Sequence, residues 1–356
     1  MKTGLSLEEM AAEITRQRSL KADYLVDTRN LQMEPHSGQV YLHIFDGKDE
    51  PVEPMQVNTI AHRQLGAHLR IPASYYDRML EEDPKLLAQN VNTWLRRSPS
   101  RRMVRTMGGT ARAFLSDRYR RLDNFEIASA VLPIIGQMQD ARFESCQVTD
   151  SMMYLKVVNT RLEAEVSPGD IVQAGMIISN SEVGTGAVSV QPLVYRLVCS
   201  NGMIVNDAQT RRNHVGRVNK LEEAYRLYSD RTLEADDRAF LMKLQDTVRA
   251  AVEEARFARV VDLMKAAAKA EMTTSDIPGT VRMASREFHI TESEEKGVLQ
   301  HLIEGKDLSL YGLSNAVTRY SQDVENYDRA TELESIGYDI LSMPAGTWRR
   351  INQPAA

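Results

Sequence analysis

Between positions 96 and 121 the chain carries nine arginines, Arg96, Arg97, Arg101, Arg102, Arg105, Arg112, Arg118, Arg120 and Arg121, with one acid, Asp117, and no lysine. A guanidinium donates from a planar fork, pairs bidentately with phosphate and stacks on flat rings, so an arginine-only segment suits nucleic-acid backbones better than a generic solvated face. Trp94, Phe114 and Tyr119 stand in or beside the run and offer stacking surfaces for bases. Strand alternation puts Arg112 and Phe114 on one face, as it does Arg118 and Arg120, with Tyr119 and Arg121 opposite. A second basic cluster, Arg211, Arg212, His214, Arg217 and Lys220, follows the last expected strand and could line the same groove. The competing reading pairs these arginines with acids of the C-terminal helices.

Other chemistry is thin. Gly184-Thr185-Gly186 lacks the lysine and following helix of a phosphate loop and reads as a β-turn. His62 and His68, six apart, do not share a helix face, and neither Cys146 nor Cys199 has a neighbouring histidine. Asp150, Glu163, Glu165, Asp170 and Glu182 could contain a nuclease-like metal pair, although spacing alone brings no two together. No catalytic residue, metal or cofactor is therefore expected, and the balance leans away from an enzyme.

The whole chain bounds these readings. With 356 residues, 42% hydrophobic and 26% charged, it can build a substantial core. Its net charge of −5 means that polyanion binding must come from a local concentration of arginine. Two cysteines are too few for a disulfide framework, the first residues lack an apolar signal region, and no apolar run is long enough to span a bilayer. These features predict the cytoplasm of a bacterial host cell and no membrane contact.

The elements that must position the arginines read as an α+β fold: a central antiparallel sheet with an N-terminal helical region and a C-terminal helical region. Residues 1–97 are mostly helical with one short strand, VYLHIF, closed by Asp46-Gly47. Ser6 and Glu9 form a capping box for the first helix. Helices follow at 58–69, from 73, and at 84–95; the pair flanking 70–72 has a helix-turn-helix rhythm. Its second helix carries two tyrosines and only Arg78 as a base, which favours a packing hairpin over base readout. Residues 98–217 form the β-rich region, opening with two strands joined at Gly108-Gly109 and interrupted by a helix at 124–138. Five further strands end near Val205. Residues 218–356 are helical: one long or broken helix over 221–270, a turn at Asp276-Ile277-Pro278-Gly279, and helices at 293–302 and 314–333.

The stretch 178–205 holds Asn180, Ser181 and Gly184, then Arg196, Cys199 and Asn201; the tail holds Asn315, Ala316 and Thr318. These motifs resemble the family designated domain of unknown function 932, over roughly residues 60–335. The resemblance implies a phage or plasmid setting and supplies no catalytic residues. Together with the arginines it leads to an expected function: binding single-stranded DNA with little sequence preference, in recombination, strand annealing or replication, by a homo-oligomer. The alternatives are a metal-dependent nuclease and a scaffold or counter-defence protein that binds a host protein.

Overall fold

The computed structural model describes residues 1–45, 52–119, 121–206, 230–251 and 253–353. Two sheets organise the α+β fold. The first has six strands in the order β1 (Lys21–Asp27), β5 (Arg101–Met107), β6 (Thr110–Ser116), β4 (Val52–Val57), β3 (Gln39–Ile44) and β2 (Leu31–His36). All neighbours are antiparallel except β4 and β6, which run parallel. Gly108 and Gly109 both take positive φ, 55° and 80°, which the tight β5–β6 turn requires and a side chain would resist.

One face of this sheet is covered by α2 (Thr59–Leu69), α3 (Ala73–Glu82) and α4 (Pro84–Arg97). Leu65, Tyr76, Met79, Leu87, Val91 and Leu95 pack there on Leu31, Met33, Leu42, Val104 and Phe114. The helices start where local chemistry demands: the Asn58 side chain accepts from the Ala61 N–H, and Asp83 accepts from Leu86 just before Pro84. The α2–α3 pair is a packing hairpin, with the buried His62 ring bonded to the Tyr76 hydroxyl at 2.8 Å.

The second sheet is an antiparallel meander, in spatial order β11 (Asn201–Ile204), β10 (Ser189–Arg196), β9 (Asp170–Asn180), β8 (Met153–Ser167) and β7 (Ala141–Val148). Val172, Ala174, Met176 and Ile178 alternate onto one face of β9. Met176 and Ile178 pack with α1 (Leu7–Leu20), α5 (Asn124–Gly136) and α6 (Asp230–Ala250) through Met10, Ile14, Val131 and Leu244. Val172 and Ala174 join the C-terminal helices, among them α7 (Glu254–Ala268), α10 (Leu310–Tyr320) and α11 (Tyr327–Leu341), through Val260, Met264, Leu313 and Leu333. On the opposite face Ile177, Leu193 and Tyr195 cluster with Tyr327.

Several elements differ from the sequence expectation. The N-terminal region holds four strands where one was read, because β1, β2 and β4 are short and polar, and β2 carries Pro35. The expected β5–β6 hairpin forms, but it pairs with these N-terminal strands, so the six-stranded sheet crosses the expected boundary at residue 98. The strands read at 151–159 and 161–166 are one bulged strand, β8, and β7 was missed. Asp276 through Gly279 opens a helix, α8 (Ile277–Glu287), with the Asp276 side chain accepting from Gly279. The break in the long helix falls after Ala250, and the tail helix is divided into α10 and α11. The Asp46-Gly47 turn lies outside the described residues. Among the described residues no helix is long and apolar enough to cross a membrane.

Burial pulls the His62 pKa down to about 4, against the weaker upward pull of Asp77. An unfolded histidine titrates near ~6.5, so between these values the unfolded chain binds the extra proton. His62 stabilisation is therefore complete above pH ~6.5 and is lost as pH falls from there towards 4, roughly 3 kcal/mol in all. Urea unfolding followed at pH 7 and pH 5 should show this loss, and it should shrink in His62→Gln; an unchanged slope in that variant contradicts the assignment.

Candidate nucleic-acid interface

The arginines of the 96–121 segment separate into two populations. Arg105, 1% exposed, lies beneath a set of acids that the sequence scatters over 160 residues. Its Nε donates to Asp23 at 2.9 Å, one Nη to Asp123 at 2.5 Å and the other to the Glu182 carbonyl at 2.9 Å. Arg112 donates to the buried Glu182 carboxylate, which also accepts from Lys21 and from the Asn124 N–H at the start of α5. Arg121 is exposed and sits 3.9 Å from Asp23, at the margin of the same network.

Burial alone would raise the Glu182 pKa. Arg112 and Lys21 beside it, with the Asn124 N–H, outweigh that and hold it below its ordinary value. For Arg105, burial works against the charge, and Asp123 and Asp23 more than compensate, so its pKa lies above the ordinary guanidinium value. Expected phosphate contact is thus corrected for Arg105 and Arg112: both are enclosed and committed to carboxylates within the chain. The competing salt-bridge reading holds for these two, with acids of β1, the α5 start and the 181–188 loop in place of the C-terminal helices.

The second population gathers at one end of the six-stranded sheet through Thr28, which is fully buried. Its hydroxyl donates to the Leu95 carbonyl and accepts from the Ser100 N–H, while its own N–H donates to the Ser100 carbonyl at 2.9 Å. These bonds tie the end of β1 to the last turn of α4 and the start of β5. Register adds the rest, since Asp27 faces Arg101 and Arg102 faces Ser116, two residues before Arg118. The end of the sheet therefore collects Arg29, Arg96, Arg97, Arg101, Arg102 and Arg118 against Asp27 and Asp117. Arg29, 64% exposed and bonded to Asp27, was missed by the sequence reading because it stands 67 residues before Arg96. Arg102 is half-buried, donating to His68 at 2.8 Å; the others, Arg118 included, are exposed.

The aromatic residues divide in the same way. Trp94, 41% exposed, lies on α4 with the Arg97 guanidinium 5.6 Å above its ring. Phe114 is core, and Tyr119 is half-buried with its hydroxyl donating to the Ser181 carbonyl, so of these three aromatic residues Trp94 alone is exposed. Arg120 and the second cluster, Arg211, Arg212, Arg217 and Lys220, lie outside the described residues.

Three of the five carboxylates weighed for a metal are engaged elsewhere. Asp170 is paired with Arg196 at 2.6 Å and accepts from Tyr311; Glu165 accepts from the Gly169 N–H; Glu182 is the centre of the buried network. Asp170 and Glu182 flank the length of β9, on the order of 35 Å apart in an extended strand. Among the described residues no group of three or more His, Cys, Asp and Glu is arranged to hold a metal ion.

The motif residues have positions that explain their types. Asn180 donates to the Leu122 carbonyl and to Asn124, and Ser181 bonds Thr185. Val183 packs with Met103, Ala113 and Leu115, on the face of β5 and β6 opposite Val104 and Phe114, and its carbonyl accepts from Gln64 of α2 at 2.7 Å. Gly184 has φ +77°, and a Cβ there would lie 2.7 Å from Leu115. Farther along, Arg196 bonds Asp170 and Cys199, while Asn201 donates to the Asn315 carbonyl and to Thr318. The two separated motifs meet each other here.

A family model described as domain of unknown function (DUF932) matches residues 113–338. No curated protein and no solved structure matches the chain. Replacing Glu182 with Gln should leave Arg112 buried without its counter-charge and Lys21 with only Asp123, 4.0 Å away, at a cost of about 3–5 kcal/mol measured by urea unfolding. A loss under 1 kcal/mol would mean that water already reaches the network.

Proposed function

We propose, from the premise that this chain belongs to the DUF932 family, that the arginine end of its six-stranded sheet binds the backbone of single-stranded nucleic acid. The observation that carries this reading is the convergence, through Thr28 and strand register, of six guanidiniums onto one end of a protein whose overall charge is −5. Concentrated there, the positive charge attracts phosphates that the rest of the surface repels. Trp94, held beside Arg97, adds a flat ring on which an unpaired base can stack, which favours single strands over duplex. Nothing at this end reads base edges, so sequence preference is small. Recombination, strand annealing or replication on a mobile element in a bacterial cytoplasm is the setting we infer.

If about five phosphates are neutralised, log K should fall with log salt at a slope near about −3.5 for a single strand. The triple variant Arg97→Gln, Arg101→Gln, Arg118→Gln should bind at least about tenfold more weakly, with a slope shallower by about 2 and an unchanged melting temperature. Trp94→Ala should weaken single-strand binding and leave duplex binding as it was. Affinity indifferent to salt, or to the triple variant, would sink the proposal, and chelator-sensitive cleavage of labelled DNA would replace it with a nuclease.

A further inference from the structure

Between α2 and α3 lies a cavity of about 240 Å³, walled by His62, Gly66, Ala67, Ile71, Ala73 and Tyr76, with Arg63 beside them. Small side chains set its shape. A Cβ at Gly66 would come within 3.0 Å of the Tyr76 ring, and Ala67 and Ala73 add only a methyl each. An apolar cavity of about 150 Å³ takes up benzene, so this one has room for a six-membered ring and a further polar group.

The polar groups of the wall are not alike. Arg63 is paired with Asp77 at 2.8 Å, and the Gly66 and Ala67 carbonyls accept from the Ile71 and Arg70 N–H groups. What remains uncommitted is a set of donors. The Tyr76 hydroxyl is buried, and His62 Nδ1 is its one hydrogen-bond partner among the described residues, so its proton goes to Nδ1. A neutral imidazole that accepts at Nδ1 carries its own proton on Nε2. Burial keeps the ring neutral at pH 7, its pKa pulled down to about 4. His62 is 9% exposed, and among the described residues no group of the chain accepts from Nε2. Ala73 opens α3, whose N-cap, Pro72, has no side-chain bond to give. The Ala73 and Ser74 N–H groups likewise meet no acceptor among the described residues, and they bring the positive end of the helix to the same wall.

We propose that this cavity binds a small organic carboxylate with a compact apolar body. A carboxylate oxygen accepts from the His62 Nε2–H, and the start of α3 favours the negative charge. The body of the ligand packs on Gly66, Ala67, Ile71 and the Tyr76 ring. An amine or a polyhydroxyl ligand is disfavoured, because it needs acceptors that the wall has already committed within the chain. The groups that select the carboxylate are therefore the ones with no bond of their own. The site shares no residue with the arginine end, so the inference survives failure of the nucleic-acid reading.

The probe is benzoate, set against benzamide, which has its shape without its charge, and inorganic phosphate, which has charge without an apolar body. Calorimetric titration of the full chain at pH 7 should show benzoate binding at least about tenfold more tightly than either. The His62 ring signals in NMR spectra should move as benzoate is added. Ala67→Phe, at an exposed helix position, fills the cavity and should abolish binding with unchanged circular dichroism. Combining His62→Phe with Tyr76→Phe removes the donor without leaving the hydroxyl unpaired, and should weaken benzoate by about tenfold or more. Tyr76→Phe alone should bind benzoate nearly as well as the wild type. Absence of benzoate binding, equal affinity for benzamide or phosphate, or affinity indifferent to both Ala67→Phe and the double variant overturns the proposal.

Discussion

The Glu182 carboxylate sits out of water between two sheets, and the geometry of everything around it follows from the need to neutralise it there. A buried carboxylate is tolerable only with cations and hydrogen-bond donors in fixed places. Lys21 comes from the first strand of one sheet, Arg112 from the third strand in its spatial order, and the Asn124 N–H from the helix that covers the other sheet. Arg105 joins the arrangement through the Glu182 carbonyl and is itself neutralised by Asp23 and Asp123. Because each charge needs all the others, the two sheets are held in one relative position by electrostatics as well as by Val183 in its apolar slot.

The same network decides which arginines can act on something outside the chain. Guanidiniums on the β5–β6 hairpin that meet Asp23, Asp123 and Glu182 are consumed. Those beyond the reach of these acids, at the opposite margin from the Gly108-Gly109 turn, remain at the surface. Thr28 is the counterpart of Glu182 at that margin: a small buried hydroxyl whose bonds draw three chain segments together and so concentrate their charges.

The motifs shared with the DUF932 family describe scaffolding. Asn180, Ser181 and Gly184 shape the loop that carries Glu182 and Val183, and Arg196, Asn201 and Thr318 fasten the edge of the second sheet to α10. Polar residues in such positions are demanded by buried backbone and side-chain groups that would otherwise lack partners. The family match begins at residue 113, inside β6, whereas most of the arginine end lies before it.

Much of this protein is local and was legible in its sequence. The Ser6–Glu9 capping box, the helix read over 58–69, the Gly108-Gly109 hairpin and the antiparallel pairing of successive strands in the second sheet each depend on residues close in the chain. The concentration of arginine is likewise a property of neighbouring residues. The sequence could not divide those arginines, because the acids that bury Arg105 and Arg112 lie 18 to 82 residues away and are brought to them only by the pairing of β1 with β5 and the return of the 181–188 loop. Arg29 was invisible for the same reason. Nor did alternation alone reveal β1, β2 and β4, short polar strands whose stability comes from neighbours in the sheet and not from their own pattern. Charge sign and turn chemistry are properties of residue types, fixed as soon as the chain is written. Whether a charge is spent inside the protein or left for a partner depends on which distant group it meets, and only the tertiary structure determines that.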